Sequence, residues 1–427
     1  VANQLSYSEQ QVADIGAAAL LMDIGMTHVS DHILRQNRYL TLTERDIVRQ
    51  LEALQEFFNL RIATLSSHPE LESEASRLEI PLFVSESEWS ESASAFSRIM
   101  ASTSKSSTKA WKKFLNSGKG ARTLKQALES IDAVHLISGA GSLEVASIIS
   151  EKIPIHVYML EPNRGLHGET VLWANINGKQ PRPIGLTRFL LTIPRNRDLK
   201  IVNRIASRSN SIFSGNSNYI KNRIKEVHGI DAGVLLPCVD LSKWSSEEEV
   251  TAGDFVVSIG YASWVKGTWE CISMLAGTGI NLVHVGGGTE TDLAQLKEHA
   301  IRLGVGFEIS PRLEHESLVS LIRSSLAVIS MAHKEPFGLT PAEAHAVGTP
   351  ALMVNEGGFP TTIIDGESGR LLPRDDYNAW HSALEEAAIL ENRTGWSEKG
   401  RSIVRELDLN PRGRAIALRK IIDQLIQ

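Results

Sequence analysis

At 427 residues the chain exceeds what one compact core holds, so two domains are the expectation. Hydrophobic residues make up 42% and charged residues 22%, a balance that excludes wholesale disorder, and a formal net charge of -6 gives no reason to expect a nucleic-acid partner. Two cysteines, Cys238 and Cys271, are too few for a disulfide framework or a zinc cluster and point to a reducing compartment. No apolar run approaches the ~20 residues that span a bilayer. The polar start, Val1 to Gly16, lacks a basic region followed by an apolar one. These features predict a cytoplasmic protein without a secretory leader.

In chain order, Ala17–Ile24 reads as a buried strand and Thr43–Phe58 as a helix with apolar residues at helical spacing. Leu60–Leu65, Ala133–Ile137 and Ile153–Leu160 read as further strands. Between them lie two charged stretches. Glu70 to Glu91 is acidic and rich in serine, whereas Lys105 to Lys125 carries only basic charges, with Trp111, Phe114 and Leu115 at helical spacing. That basic stretch has two readings: a helix lying on an anionic membrane or acceptor, or a solvated helix whose apolar face packs on its own domain. The second is favoured.

A hinge is expected at Leu235–Trp244, where Pro237 interrupts the pattern. A second alternating series follows. Strands are expected at Phe255–Gly260, Asn281–Val285, Gly306–Ile309, Leu326–Ser330 and Ala351–Val354. Helices are expected at Gly267–Leu275, Thr291–Leu303, Ser317–Ser324 and Pro341–Val347. Alternation of this kind builds a doubly wound parallel sheet, with ligands at the C-terminal ends of its strands.

The most informative stretch is Glu335-Pro336-Phe337-Gly338-Leu339-Thr340-Pro341-Ala342-Glu343. Thr340 suits an N-cap, Pro341 the first helical position and Glu343 the third, while Gly348 and Pro350 end the helix. A strand thus feeds a loop that ends at a helix N-terminus, where unpaired amides and the helix dipole favour an anion. Gly338 would let a phosphate approach the backbone. From spacing alone, a plain capping box with an exposed loop acid fits equally well.

Glu335 and Glu343, with Pro-Phe-Gly-Leu between, resemble the E-x7-E signature of retaining glycosyltransferase family 4, of the GT-B fold. Lys266 stands at the lysine of the family's "KG" segment, Gly286–Gly288 at its strand-end glycines and Gly357-Gly358 at its "GG" loop. Asp365-Gly366 and Gly369-Arg370-Leu371-Leu372-Pro373 resemble another family segment. Ser217 with Leu236-Pro237-Cys238-Val239-Asp240 resembles the hinge, Cys238 replacing a glycine. The likeness runs over about residues 130–375 and is faint before 125.

The resemblance implies an α/β GT-B architecture, two Rossmann-like doubly wound domains facing a central cleft. An acceptor-side domain is expected over 1–237, a nucleotide-sugar domain over 238–410, and a helix crossing back over 411–427. It implies transfer of a sugar from a nucleotide diphosphate, UDP- or GDP-linked, with retained anomeric configuration. No cofactor and no metal are expected, since no Asp-x-Asp triplet occurs. Lys266 would hold the diphosphate, Glu335 the sugar hydroxyls, Glu343 the ribose, and the amides of Phe337, Gly338, Leu339 and Thr340 sugar and phosphate. Gly287 and Arg312, in the Ile309–Leu313 loop, are further donor-side candidates, with ordinary turn residues as the alternative. The acceptor, whether glycan, lipid, protein or small molecule, is not named by the sequence.

Departures from the family pattern are equally legible. Tyr261 stands at the family's arginine position. In Tyr158-Met159-Leu160-Glu161-Pro162-Asn163-Arg164, Leu160 stands where the family has its catalytic histidine. The glycine-rich loop after the first strand is not evident. His167 is the candidate to take over acceptor-side work, with a merely exposed loop histidine as the alternative and Glu161 as second candidate. A non-catalytic GT-B subunit that binds substrate or a partner transferase is the competing function.

Overall fold

The computed structural model describes residues 48, 50–65, 67–85, 105–116, 118–139, 141–168, 175–178, 183–239, 241–244 and 252–427. The expected strand Ala17–Ile24 and residues 43–47 and 49 of the expected first helix lie outside them.

Every strand pairing among the described residues is parallel. β1 (Ile62–Thr64) and β2 (Leu82–Val84) form a pair. β3 (Val134–Ile137), β4 (Ile155–Met159), β5 (Ser211–Gly215) and β6 (Gly233–Val234) form a sheet in that order. The C-terminal sheet contains β7 (Phe255–Ile259), β8 (Asn281–Val285), β9 (Phe307–Ser310), β10 (Ala327–Ser330), β11 (Ala351–Val354) and β12 (Arg370–Leu372). Its order is β12-β11-β10-β7-β8-β9. This is the doubly wound order, and it reverses direction between β7 and β10.

The strands read as apolar runs because both sheet faces are covered. β4 and β11 are buried along their whole length. β5 escapes such a reading because Ser214 sits in it, fully buried, opposite His156 Nε2 at 3.0 Å. A buried strand can carry a polar residue when its neighbour supplies the hydrogen bond.

Helix ends follow local chemistry. Thr289 caps Glu290–Leu303 by accepting from the Asp292 amide, and Gly304 ends it in the left-handed conformation at φ +66°. Asn410 caps Pro411–Ile426 with proline in the first turn. That last helix lies on the N-terminal sheet: Ala415, Leu418, Ile422 and Leu425 share a core with Leu54 and Tyr158. Arg414 stacks on the Tyr158 ring at 4.4 Å and donates to the Leu236 carbonyl at 2.7 Å.

The basic stretch forms helices Lys105–Asn116 and Gly118–Glu129. Trp111 and Phe114 are buried in the N-terminal core, and the Trp111 indole donates to the Gly141 carbonyl at 2.8 Å. Its apolar face is therefore packed on the domain and is not free to meet a membrane. Exposed apolar side chains lie instead on helix Ile184–Ala206, where Phe189 is 75% exposed, flanked by Leu186, Leu190 and Ile193. Among the described residues, no helix is long and apolar enough to cross a membrane.

Candidate active site

The loops that follow β7 and β10 meet where the strand order reverses, the position at which doubly wound sheets take ligands. The β7 loop carries Tyr261 and Lys266; the β10 loop carries Glu335. Lys266 Nζ lies 3.0 Å from Glu335 Oε2, with the side chains 34% and 19% exposed. Burial alone would raise the Glu335 pKa, but Lys266 and Arg164 beside it bring the carboxyl below its usual value. The pair keeps spare capacity, since an ammonium has three donors and a carboxylate several lone-pair sites.

Close backbone packing fixes this arrangement. A Cβ on Gly267, at φ +67°, would come 2.0 Å from the Met331 carbonyl oxygen, so the turn after Lys266 seats against the β10 loop only as glycine. A Cβ on Gly357 would stand 2.3 Å from the Glu335 carbonyl oxygen, and the Gly358 amide donates to that oxygen at 2.7 Å. Arg374 braces the same loop, donating to the Met331 carbonyl at 2.7 Å while pairing with Glu356 at 2.8 Å. Lys334, a non-glycine residue at φ +52°, pays for this bend with a conformation L-residues seldom adopt.

Helix Thr340–Val347 starts one residue earlier than its sequence suggests. Leu339 is the N-cap, it makes no side-chain cap bond, and Pro341 falls one place further in. The expected Thr340 cap is therefore not made. Residues 341–347 are all buried, Glu343 in the first turn among them. Phe337 turns its ring into the C-terminal core, leaving only its backbone for a ligand. At Gly338, φ is +80° and an added Cβ would strike the Phe359 ring at 2.5 Å, so packing and backbone conformation require glycine there. Gly287, at φ +74°, joins this end of the sheet, its carbonyl accepting from the Ala262 amide at 2.8 Å. Arg312 sits further out and pairs with Glu70 of the N-terminal half at 3.4 Å. Tyr261 is half-buried at the end of β7.

From the opposite domain, the loop after β4 reaches this site. Arg164 donates to the carbonyls of His333 at 3.1 Å and Lys334 at 3.0 Å, and pairs with Glu161 at 2.9 Å. Ser217, at the end of β5, donates to the Pro336 carbonyl at 2.6 Å and caps helix Asn218–His228. Burial, then the charge of Glu335, lifts the Glu161 pKa, although Arg164 and Lys266 oppose the shift. Leu160 packs against the core shared with the C-terminal helix. His167 ends helix Arg164–His167 and pairs with Asp198 at 2.7 Å. Sequence reasoning gave Arg164 and Ser217 no bridging role; their only signal was that they stand within family-like segments.

Two Rossmann-like domains with strand ends converging on one cleft make this a GT-B fold. Residues 243–402 match the family model described as "Glycosyl transferases group 1". The chain is 29% identical over 168 residues to a glycogen synthase of Mycobacterium tuberculosis, covering 36% of this chain and 40% of that protein. It is 33% identical over 113 residues to a D-inositol 3-phosphate glycosyltransferase of Mycolicibacterium smegmatis, covering 25% of this chain and 26% of that one. The matched stretches thus span less than half the length of these curated relatives. Among solved structures, Anabaena HepE in complex with UDP-glucose superposes with TM-score 0.65 at 14% identity, covering 91% of this chain and 96% of that one. A glycosyltransferase from Rickettsia africae superposes with TM-score 0.60 at 15% identity, covering 90% and 94%.

Proposed function

We propose that the protein is a retaining, metal-independent glycosyltransferase that moves a sugar from a UDP- or GDP-linked donor to an acceptor in the cleft. The observation that carries this reading is the Lys266–Glu335 pair at 3.0 Å, held at the switch point beside the start of helix Thr340–Val347. In this reading Lys266 and the helix-start amides neutralise the diphosphate as the sugar leaves, the work a metal does elsewhere. Glu335 orients the sugar through its hydroxyls, and Glu343 takes the ribose. Gly287 and Tyr261 line the diphosphate side; Arg312 closes the outer rim. On the acceptor side, Glu161 is preferred over His167 because its ion-pair partner Arg164 holds the loop that carries Glu335, whereas His167 pairs with Asp198. The UDP-glucose in the HepE complex favours a uridine donor.

The location is cytoplasmic with peripheral membrane contact. We assign that contact to the exposed Leu186, Phe189, Leu190 and Ile193, since Arg188 and Arg197 share their helix and suit anionic lipid.

A thermal-shift panel of UDP-, GDP- and ADP-sugars tests the reading. One donor at one hundred times its dissociation constant should stabilise the protein by about 2.7 kcal/mol. Lys266→Ala should lower that donor's affinity at least about tenfold. No shift with any nucleotide sugar overturns the proposal. The competing reading, a subunit that binds substrate or a partner transferase without turnover, is favoured by Leu160 and Tyr261. Sugar transfer by the unmodified chain disposes of it.

A further inference from the structure

A second group of titratable side chains, apart from the Lys266–Glu335 pair, lies one helical turn beyond Arg164. His167, Asp198 and His228 come from three different helices. His167 Nε2 is 2.7 Å from Asp198 Oδ2, and with one ring nitrogen of His228 all three ligand atoms lie within 4.8 Å of one another. The imidazoles of His167 and His228 meet edge to face, centroids 5.5 Å apart. Asp198 and His228 are only 7% and 9% exposed.

One observation points beyond a plain Asp–His hydrogen bond. Nδ1 of His228 is buried with no hydrogen-bond partner, a state that buried polar atoms seldom occupy without a reason. At neutral pH it is the uncharged imidazole that binds metals. The nearby Arg223 and Arg195 donate to the carbonyls of His167 and Leu166.

We infer that His167, Asp198 and His228 form a site for a zinc(II) ion, bound by two imidazoles and one carboxylate. Zinc takes such a set at about 2.0–2.2 Å per ligand, which places ligand atoms roughly 3.3 Å apart. Reaching that geometry from the present one requires Asp198 and His167, now 2.7 Å apart, to part slightly. Three protein ligands leave one position for water.

The site has a mechanical consequence. Two of the ligands end elements whose other ends touch the Glu335 loop. Helix Arg164–His167 begins with the arginine that holds the His333 and Lys334 carbonyls. Helix Asn218–His228 follows Ser217, which holds the Pro336 carbonyl, and its 11 residues span about 16 Å. A bound ion therefore ties the far ends of both struts together and acts as a positioning device, away from the donor.

Calorimetric titration of zinc chloride into tag-free, chelator-stripped protein tests the inference. One ion per chain should bind with a dissociation constant in the micromolar range or tighter. His228→Ala and His167→Ala should each weaken it about 100-fold or more. Cobalt(II) should give d–d absorption that either variant abolishes. If one variant fails to fold by circular dichroism, the other and His228→Gln carry the comparison. No stoichiometric binding, or binding equal in wild type and variants, overturns the site.

Discussion

The two halves of the cleft reach their shapes by different means. In the C-terminal half, glycines at 267, 357 and 358 let loops lie directly on one another's backbone, and every one of them faces a contact that a Cβ would break. In the N-terminal half, long side chains do the joining: Arg164 spans from the β4 loop to the opposite domain, and Trp111 anchors a helix through its indole. Backbone-on-backbone packing tolerates few residue types, so it leaves a dense motif in the sequence. Side-chain packing admits many solutions and leaves little trace. The family model accordingly matches 243–402 and not the first half.

That contrast can be broken at its stiffest point. Gly267→Ala should cost roughly 3 kcal/mol or more in chemical unfolding, because a Cβ 2.0 Å from a carbonyl oxygen forces the β10 loop away. Donor-induced thermal stabilisation should vanish with it. Unchanged stability would mean that the two loops do not touch as described.

The next largest effect tests the side-chain half. Arg164→Ala should lower the transfer rate about 100-fold through misplacement of the Glu335 loop, while donor affinity changes by less than about threefold. Arg164→Lys should recover little, since one ammonium cannot serve two carbonyls and a carboxylate in the guanidinium's planar fork. Equal losses in rate and donor affinity would place Arg164 in the donor site instead.

The smallest effect sharpens the comparison from the other side. Gly185, in helix Ile184–Ala206, has nothing within 4 Å of an added Cβ. Gly185→Ala should raise stability by about 0.5–1 kcal/mol, read from the denaturant midpoint. A loss there would show that this helix start is constrained after all.

The same physics explains what the sequence revealed. The C-terminal strands were legible as apolar runs: Phe255–Gly260, Asn281–Val285 and Ala351–Val354 coincide with β7, β8 and β11 to within a residue. β5 was missed because Ser211 and Ser214 interrupt its apolar residues, and β12 because three residues make no pattern. Helix Ile184–Ala206 was missed because Pro194 and Gly185 lie in it and several of its apolar residues face outward. At the candidate site, Lys266 and Glu335 were legible through their motif, and the structure places them in contact. The Thr340 cap was misplaced by one residue, since burial of the whole helix, not the cap, sets its start. The approach of Arg164 and Ser217 from the other domain could not be seen, because it depends on how two sheets face each other.

The hydrogen bonds of Arg164 and Ser217 to the opposite domain all end on main-chain oxygens, those of residues 333, 334 and 336. A latch of that kind reads the path of the chain and ignores the identity of what hangs from it. Position 334 can therefore exchange its side chain without unfastening the halves, among residues such as asparagine and glycine that accept its φ of +52°, and such exchanges retune the mouth of the cleft.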